Sequence, residues 1–179
     1  FKQKTAYEML RSLVGSEMCI RDRFRGTPRS LVFTEDDVEN LLRYQYGKGY
    51  TFSVLALLYP TMDFKNKFHI DHIHPRSAFT KPKLRQMGIE EDNIDFYLEN
   101  VDLLPNLQLL EGIPNLEKSD VDFGDWLDKT YKTPEERASY MNRHHIPPVD
   151  LSLANFRKFV EERGKLLADK LREILRVSK

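Results

Sequence analysis

The stretch FHIDHIHPRSAF sets Asp71 directly beside His72. Further along, LPNLQLLEGIPNLEKSD sets Asn106 and Asn115 nine residues apart, with Lys118 three beyond. A carboxylate, an imidazole and an amide oxygen are a sensible set for hydrolysing a phosphodiester. A hard divalent ion such as Mg2+ or Mn2+ prefers oxygen ligands and keeps several waters, so Asp71 and Asn115 suffice to hold one ion against a phosphate. Such an ion stabilises charge on the scissile phosphate and on the leaving 3′ oxygen. A neutral histidine titrates near working pH, so His72 can take the proton from an attacking water, a gain of roughly a hundredfold to ten-thousandfold.

Geometry limits this reading. Neighbouring strand residues point to opposite faces, so a strand through Asp71 and His72 must end or twist there, and Pro75 gives it a reason to end. An isolated Asp-His pair is more often a surface ion pair than a dyad; Asn106, Asn115 and Lys118 raise it above that. The HIH run suggests a zinc pair, yet no third ligand stands at a telling spacing. His69 reads as a strand residue on the Asp71 side, and His74 as packing or a phosphate contact. His144 and His145 precede IPP in a loop, and Trp126 reads as a core anchor. Asp102 and Glu111 are near the motif but read as ordinary turn carboxylates.

The elements that must position these residues are short. TEDDVENLLRYQYG (34–47) predicts a helix capped by Thr34, with acidic residues in its first turn. VLALLYP predicts a short buried helix ending before Pro60. KFHIDHIH (67–74) and LPNLQLL (104–110) predict strands. The segment between them, 81–100, predicts a helix and a polar loop. Pro114 sits just inside a helix start. Thr133, Pro134 and Glu136 form a capping-box pattern. Residues 151–177 predict a long amphipathic helix with Phe156, Phe159, Val160, Leu167, Leu171, Ile174 and Leu175 on its apolar stripe. The fold class is α+β, mostly helical, with two short strands in the middle.

One segment does not belong to this scheme. Residues 13–22, LVGSEMCIRD, resemble a transposase-type sequencing adapter translated in one frame, and are set aside from fold reasoning. Residues 1–23 then have no functional assignment, and the natural domain is expected over 24–179. The single cysteine, Cys19, lies in the adapter-like piece. The remainder therefore offers neither disulfides nor cysteine zinc sites, which points to the cytoplasm. No apolar run approaches the ~20 residues of a membrane span. With 28 basic and 28 acidic residues, bulk electrostatics is excluded as a route to nucleic acid. A local basic face is not excluded. Lys65, Lys67, Arg76, Lys81, Lys83 and Arg85 surround the motif; Arg157, Lys158, Arg163, Lys165, Lys170 and Arg172 lie on the last helix. Of these, Arg76 and Lys81, together with His74, are the candidate nucleic-acid contacts.

The DHIxP stretch, the strand NLQLL and the later asparagine followed by KS resemble the HNH endonucleases, with their ββα-metal core of two antiparallel strands and a helix. The resemblance implies Asp71 and Asn115 as ligands of one Mg2+ or Mn2+ ion and His72 as general base. It further implies Asn106 as the residue tying the loop that positions the base, and Lys118 as a phosphate or transition-state contact. The wider context resembles the carboxy-terminal nuclease portion of GmrSD-like restriction proteins, which attack modified phage DNA. The implied partners are DNA, modified or not, and an amino-terminal nucleotide-hydrolysing domain that this chain lacks. The alternative is a catalytically silent HNH-fold module that binds nucleic acid or protein.

Overall fold

A computed structural model describes residues 32–60, 62–63 and 65–177, apart from the side chains of Ile113 and Asn115. The adapter-like segment lies outside the described residues. These residues form an α+β arrangement of eight helices and one two-stranded antiparallel sheet. The helices are α1 (Glu35–Leu42), α2 (Thr51–Leu57), α3 (Lys81–Gln86), α4 (Glu91–Asn100), α5 (Gly112–Lys118), α6 (Phe123–Thr130), α7 (Pro134–Arg143) and α8 (Phe156–Leu175). Strand β1 (Phe68–His72) follows α2, and β2 (Leu107–Glu111) lies between α4 and α5.

Local sequence sets several ends. Thr34 accepts from the Asp37 amide while the Asp37 carboxylate accepts from the Thr34 amide, and Thr133 and Glu136 repeat the device at α7. Other ends are set by tertiary pairing. Helix α1 stops at Leu42 rather than near Gly47, because Gln45 pairs with Leu103 and its carbonyl accepts from the Thr51 hydroxyl at 2.6 Å. The expected strand over 104–110 starts three residues late: Leu104–Asn106 is a 3-10 turn. The polar loop expected within 81–100 is instead a second helix, α4, with Ile94 and Tyr97 buried.

Two apolar clusters make the core. The first gathers Ile73, Phe123, Trp126, Leu127, Tyr140, Phe156 and Phe159; the second gathers Val38, Leu55, Leu58, Leu107, Leu109, Leu167 and Leu171. Helix α8 feeds both, the first from its start and the second from its far half. Removing Phe156 or Phe159 would cost about 3–5 kcal/mol by cavity formation. Between the two halves stands Arg163, which is fully buried and so does not belong to a basic surface on this helix. Its guanidinium donates to the carbonyls of Pro105 (2.8 Å), Leu107 (2.9 Å) and Leu104 (3.3 Å), and to that of His144 (3.0 Å). Burial lowers its pKa to about 10, so it stays charged at neutral pH. Among the described residues no helix is long and apolar enough to cross a membrane.

Candidate active site

Strand β1 ends with the two residues of interest. Asp71 lies opposite Gln108 and His72 opposite Leu107, the first residue of β2. Helix α5 begins where β2 ends and packs against both strands. Asn115 is on this helix, its side chain outside the described residues.

Beyond His72 the chain leaves the sheet, and Asn106 fixes where it goes. Its amide oxygen accepts from the His74 amide at 3.0 Å, and its nitrogen donates to the carbonyls of Val101 (2.8 Å) and His74 (3.2 Å). Asn106 is fully buried, so each of these bonds would be costly to lose. The backbone adds a fourth link, the Ile73 amide to the Asn106 carbonyl at 2.8 Å.

The His72 imidazole faces Asp102, whose Oδ1 lies 2.8 Å from Nε2. An ionised carboxylate only accepts, so Nε2 carries the proton and Nδ1 keeps its lone pair. Among the described residues no hydrogen bond falls to Nδ1. Burial pushes the imidazole pKa below its ordinary value, against the opposing pull of Asp102, which favours a neutral ring. Tyr46 leans on that ring with centroids 4.5 Å apart. Arg76 reaches the same Asp102 oxygen at 3.2 Å and is otherwise open to solvent, its side chain 64% exposed.

Asp71 is nearly buried, and both of its contacts fall on Oδ2: Gln108 Nε2 at 2.9 Å and Lys118 Nζ at 3.1 Å. Among the described residues Oδ1 has no hydrogen bond, and could serve a cation as an oxygen ligand. Lys118 is fully buried and turns its ammonium to the strand, donating also to the His72 carbonyl at 2.5 Å. It therefore clamps the end of β1, and with no exposure it would have to move to meet a phosphate. Burial lowers its pKa, with Asp71 opposing.

The remaining candidates separate. His74 is wholly buried among Phe123, Phe156 and Phe159, and neither ring nitrogen has a hydrogen-bond partner. Its packing role stands, and its place as a phosphate contact is withdrawn, because a group without exposure meets no phosphate. Lys81 pairs with Asp95 at 3.3 Å on the exposed surface, with no contact joining it to His72 or Asp71. The cations of α8 are largely engaged: Arg157 with Asn93 and the Phe96 ring, Lys165 with Glu162, Lys170 with Glu173, Arg172 with Glu35 and Asp169.

Asp102, Gln108 and Tyr46 had no functional assignment from sequence. Gln108 alone carried a signal, a single amide inside the apolar run LQLL. Among the described residues no three histidine, cysteine, aspartate or glutamate side chains form a metal-holding group. The donor set at issue, one carboxylate and one amide oxygen, is of a different kind and suits a hard ion that retains water. No family model matches the chain, and no curated protein matches it.

Proposed function

We propose that this chain is a divalent-metal-dependent DNA endonuclease in which β1, β2 and α5 form an HNH, ββα-metal core. What carries the reading is the end of β1, where, among the described residues, neither Asp71 Oδ1 nor His72 Nδ1 has a hydrogen bond, with Asn106 and Lys118 fixing the backbone around them. Asp71 and Asn115 would hold one Mg2+ or Mn2+ ion. When bound, the ion supplies positive charge to the scissile phosphate and the leaving oxygen. His72 takes the proton of the attacking water at Nδ1, while Asp102 holds the ring by Nε2 and stabilises the positive charge developing there. Arg76, exposed at the rim, reaches for the phosphate backbone. A place in a cytoplasmic restriction or phage-defence protein, beside a nucleotide-hydrolysing domain, follows from the same resemblance.

A silent nucleic-acid-binding or protein-interaction module is the second reading. The observation in its favour is the Lys118 ammonium at 3.1 Å from Asp71, which already neutralises the carboxylate.

Nicking of supercoiled plasmid by the full chain separates the two. The endonuclease reading expects nicking with Mg2+ or Mn2+, none with chelator, and a loss of roughly a hundredfold or more in His72→Ala. Metal binding and cutting both absent would overturn it and leave the silent module.

A further inference from the structure

Gln108 is the one polar residue in the buried part of β2, and it stands directly opposite Asp71 in the sheet register. Its amide joins two buried groups: Nε2 donates to Asp71 Oδ2 at 2.9 Å, and Oε1 accepts from the Tyr140 hydroxyl at 2.6 Å. Chemistry leaves no choice of direction. An ionised carboxylate can only accept, so the amide nitrogen must face Asp71, the amide oxygen must face Tyr140, and the hydroxyl must donate. The chain of bonds is thus ordered from α7 through β2 to β1. With Lys118 also on Oδ2, that oxygen is occupied twice, while among the described residues Oδ1 has no hydrogen bond.

We propose that Gln108 and Tyr140 are positioning residues for the metal site: they lock the Asp71 carboxylate so that Oδ1 alone is presented to the ion, as a single-oxygen ligand. This rests on the endonuclease reading. Neither residue touches substrate or metal. Outer partners of this kind orient a ligand before the ion arrives, and losing one weakens metal affinity roughly tenfold to a hundredfold. Tyr140 suits the task because its ring is held on several sides, stacked on His144 and packed against Trp126 and Tyr131.

The test is Mn2+ binding by the full chain, read from the electron paramagnetic resonance signal of free Mn2+, alongside the Mn2+ dependence of plasmid nicking. Tyr140→Phe keeps the ring and removes only the hydroxyl. Gln108→Leu removes the amide, and the double variant leaves no orphaned polar group should Gln108→Leu alone fail to fold. Expected is a Kd for Mn2+ raised about tenfold in Tyr140→Phe and ten- to a hundredfold in the double variant, with nicking at saturating Mn2+ within about threefold of wild type, in chains that keep a cooperative melting transition. A merely structural role would not produce that split between affinity and rate. Unchanged Mn2+ affinity in the folded variants overturns the relay and leaves the endonuclease reading standing. Failure of the wild-type chain to bind Mn2+ at all overturns both.

Discussion

Asp102 accepts a 2.8 Å hydrogen bond from Nε2 of His72, a residue thirty positions earlier in the chain. The pairing decides which nitrogen of the ring is left to act, and it brings Arg76 to the same oxygen. On the endonuclease reading, Asp102→Asn keeps the shape but removes the charge that stabilises the developing imidazolium. Nicking should fall roughly tenfold to a hundredfold, and Asp102→Ala should approach the loss expected of His72→Ala. Single-turnover rates at saturating metal measure this. A rate in Asp102→Ala equal to wild type would remove Asp102 from the site.

Asn106 serves one amide and two carbonyls from within the core. Asn106→Ala leaves those groups buried without partners and should destabilise the chain by about 3 kcal/mol. Asn106→Asp keeps the acceptor but sets a carboxylate against two carbonyls, and should be no better tolerated. Urea unfolding midpoints provide the measurement. A cost below about 1 kcal/mol for Asn106→Ala would show that the loop holds without it.

Two buried histidines make the fold acid-sensitive. Burial lowers His74 and His144 to about 3, whereas in the unfolded chain each titrates near 6.5. Above that value both states hold the rings neutral. Below it the unfolded chain takes up protons that the folded chain refuses, so stability falls from about pH 6.5 down toward pH 3. Each ring contributes about 1.4 kcal/mol per pH unit, or about 4 kcal/mol for the pair at pH 5. His74→Phe, which removes one ring without breaking a ring hydrogen bond, should lower the slope by about 1.4 kcal/mol per pH unit. An acid slope identical in wild type and variant would count against the assignment.

Arg163 bonds to carbonyls on both sides of its guanidinium, a fork that an ammonium cannot reproduce. Arg163→Lys should cost about 3 kcal/mol, a fall of about 10 °C in Tm for a chain of this size. Thermal unfolding checks it directly.

What the sequence disclosed and what it hid divide by range. The caps at Thr34 and Thr133 were legible because each is settled within four residues. The strand ending near Pro75 and the amphipathic last helix were legible for the same reason. The end of α1 was not, since Gln45 answers to Leu103 across the fold. Asp102 was passed over because nothing local distinguishes a carboxylate aimed at a distant imidazole from one at any turn. Arg163 is instructive in another way: the stripe of Phe159, Val160 and Leu167 on α8 runs through its position, and a charged residue inside an apolar stripe marks a buried partner to be found. Lys118 shows the converse: the resemblance to HNH nucleases implies a phosphate contact, while its neighbours in space are the end of β1.

The grip of Arg163 on Leu104, Pro105 and Leu107 also bears on the order in which the molecule can be made. A ribosome delivers β1, β2 and α5 well before α8, yet the carbonyls of Pro105 and Leu107 take their bonds at 2.8 and 2.9 Å from a side chain that emerges later. Until then the turn that carries Asn106 lacks the cation that ties it to the last helix. Completion of the last helix is thus the step that ties this turn down, and a nascent chain stalled before Arg163 would carry β2 without that tie.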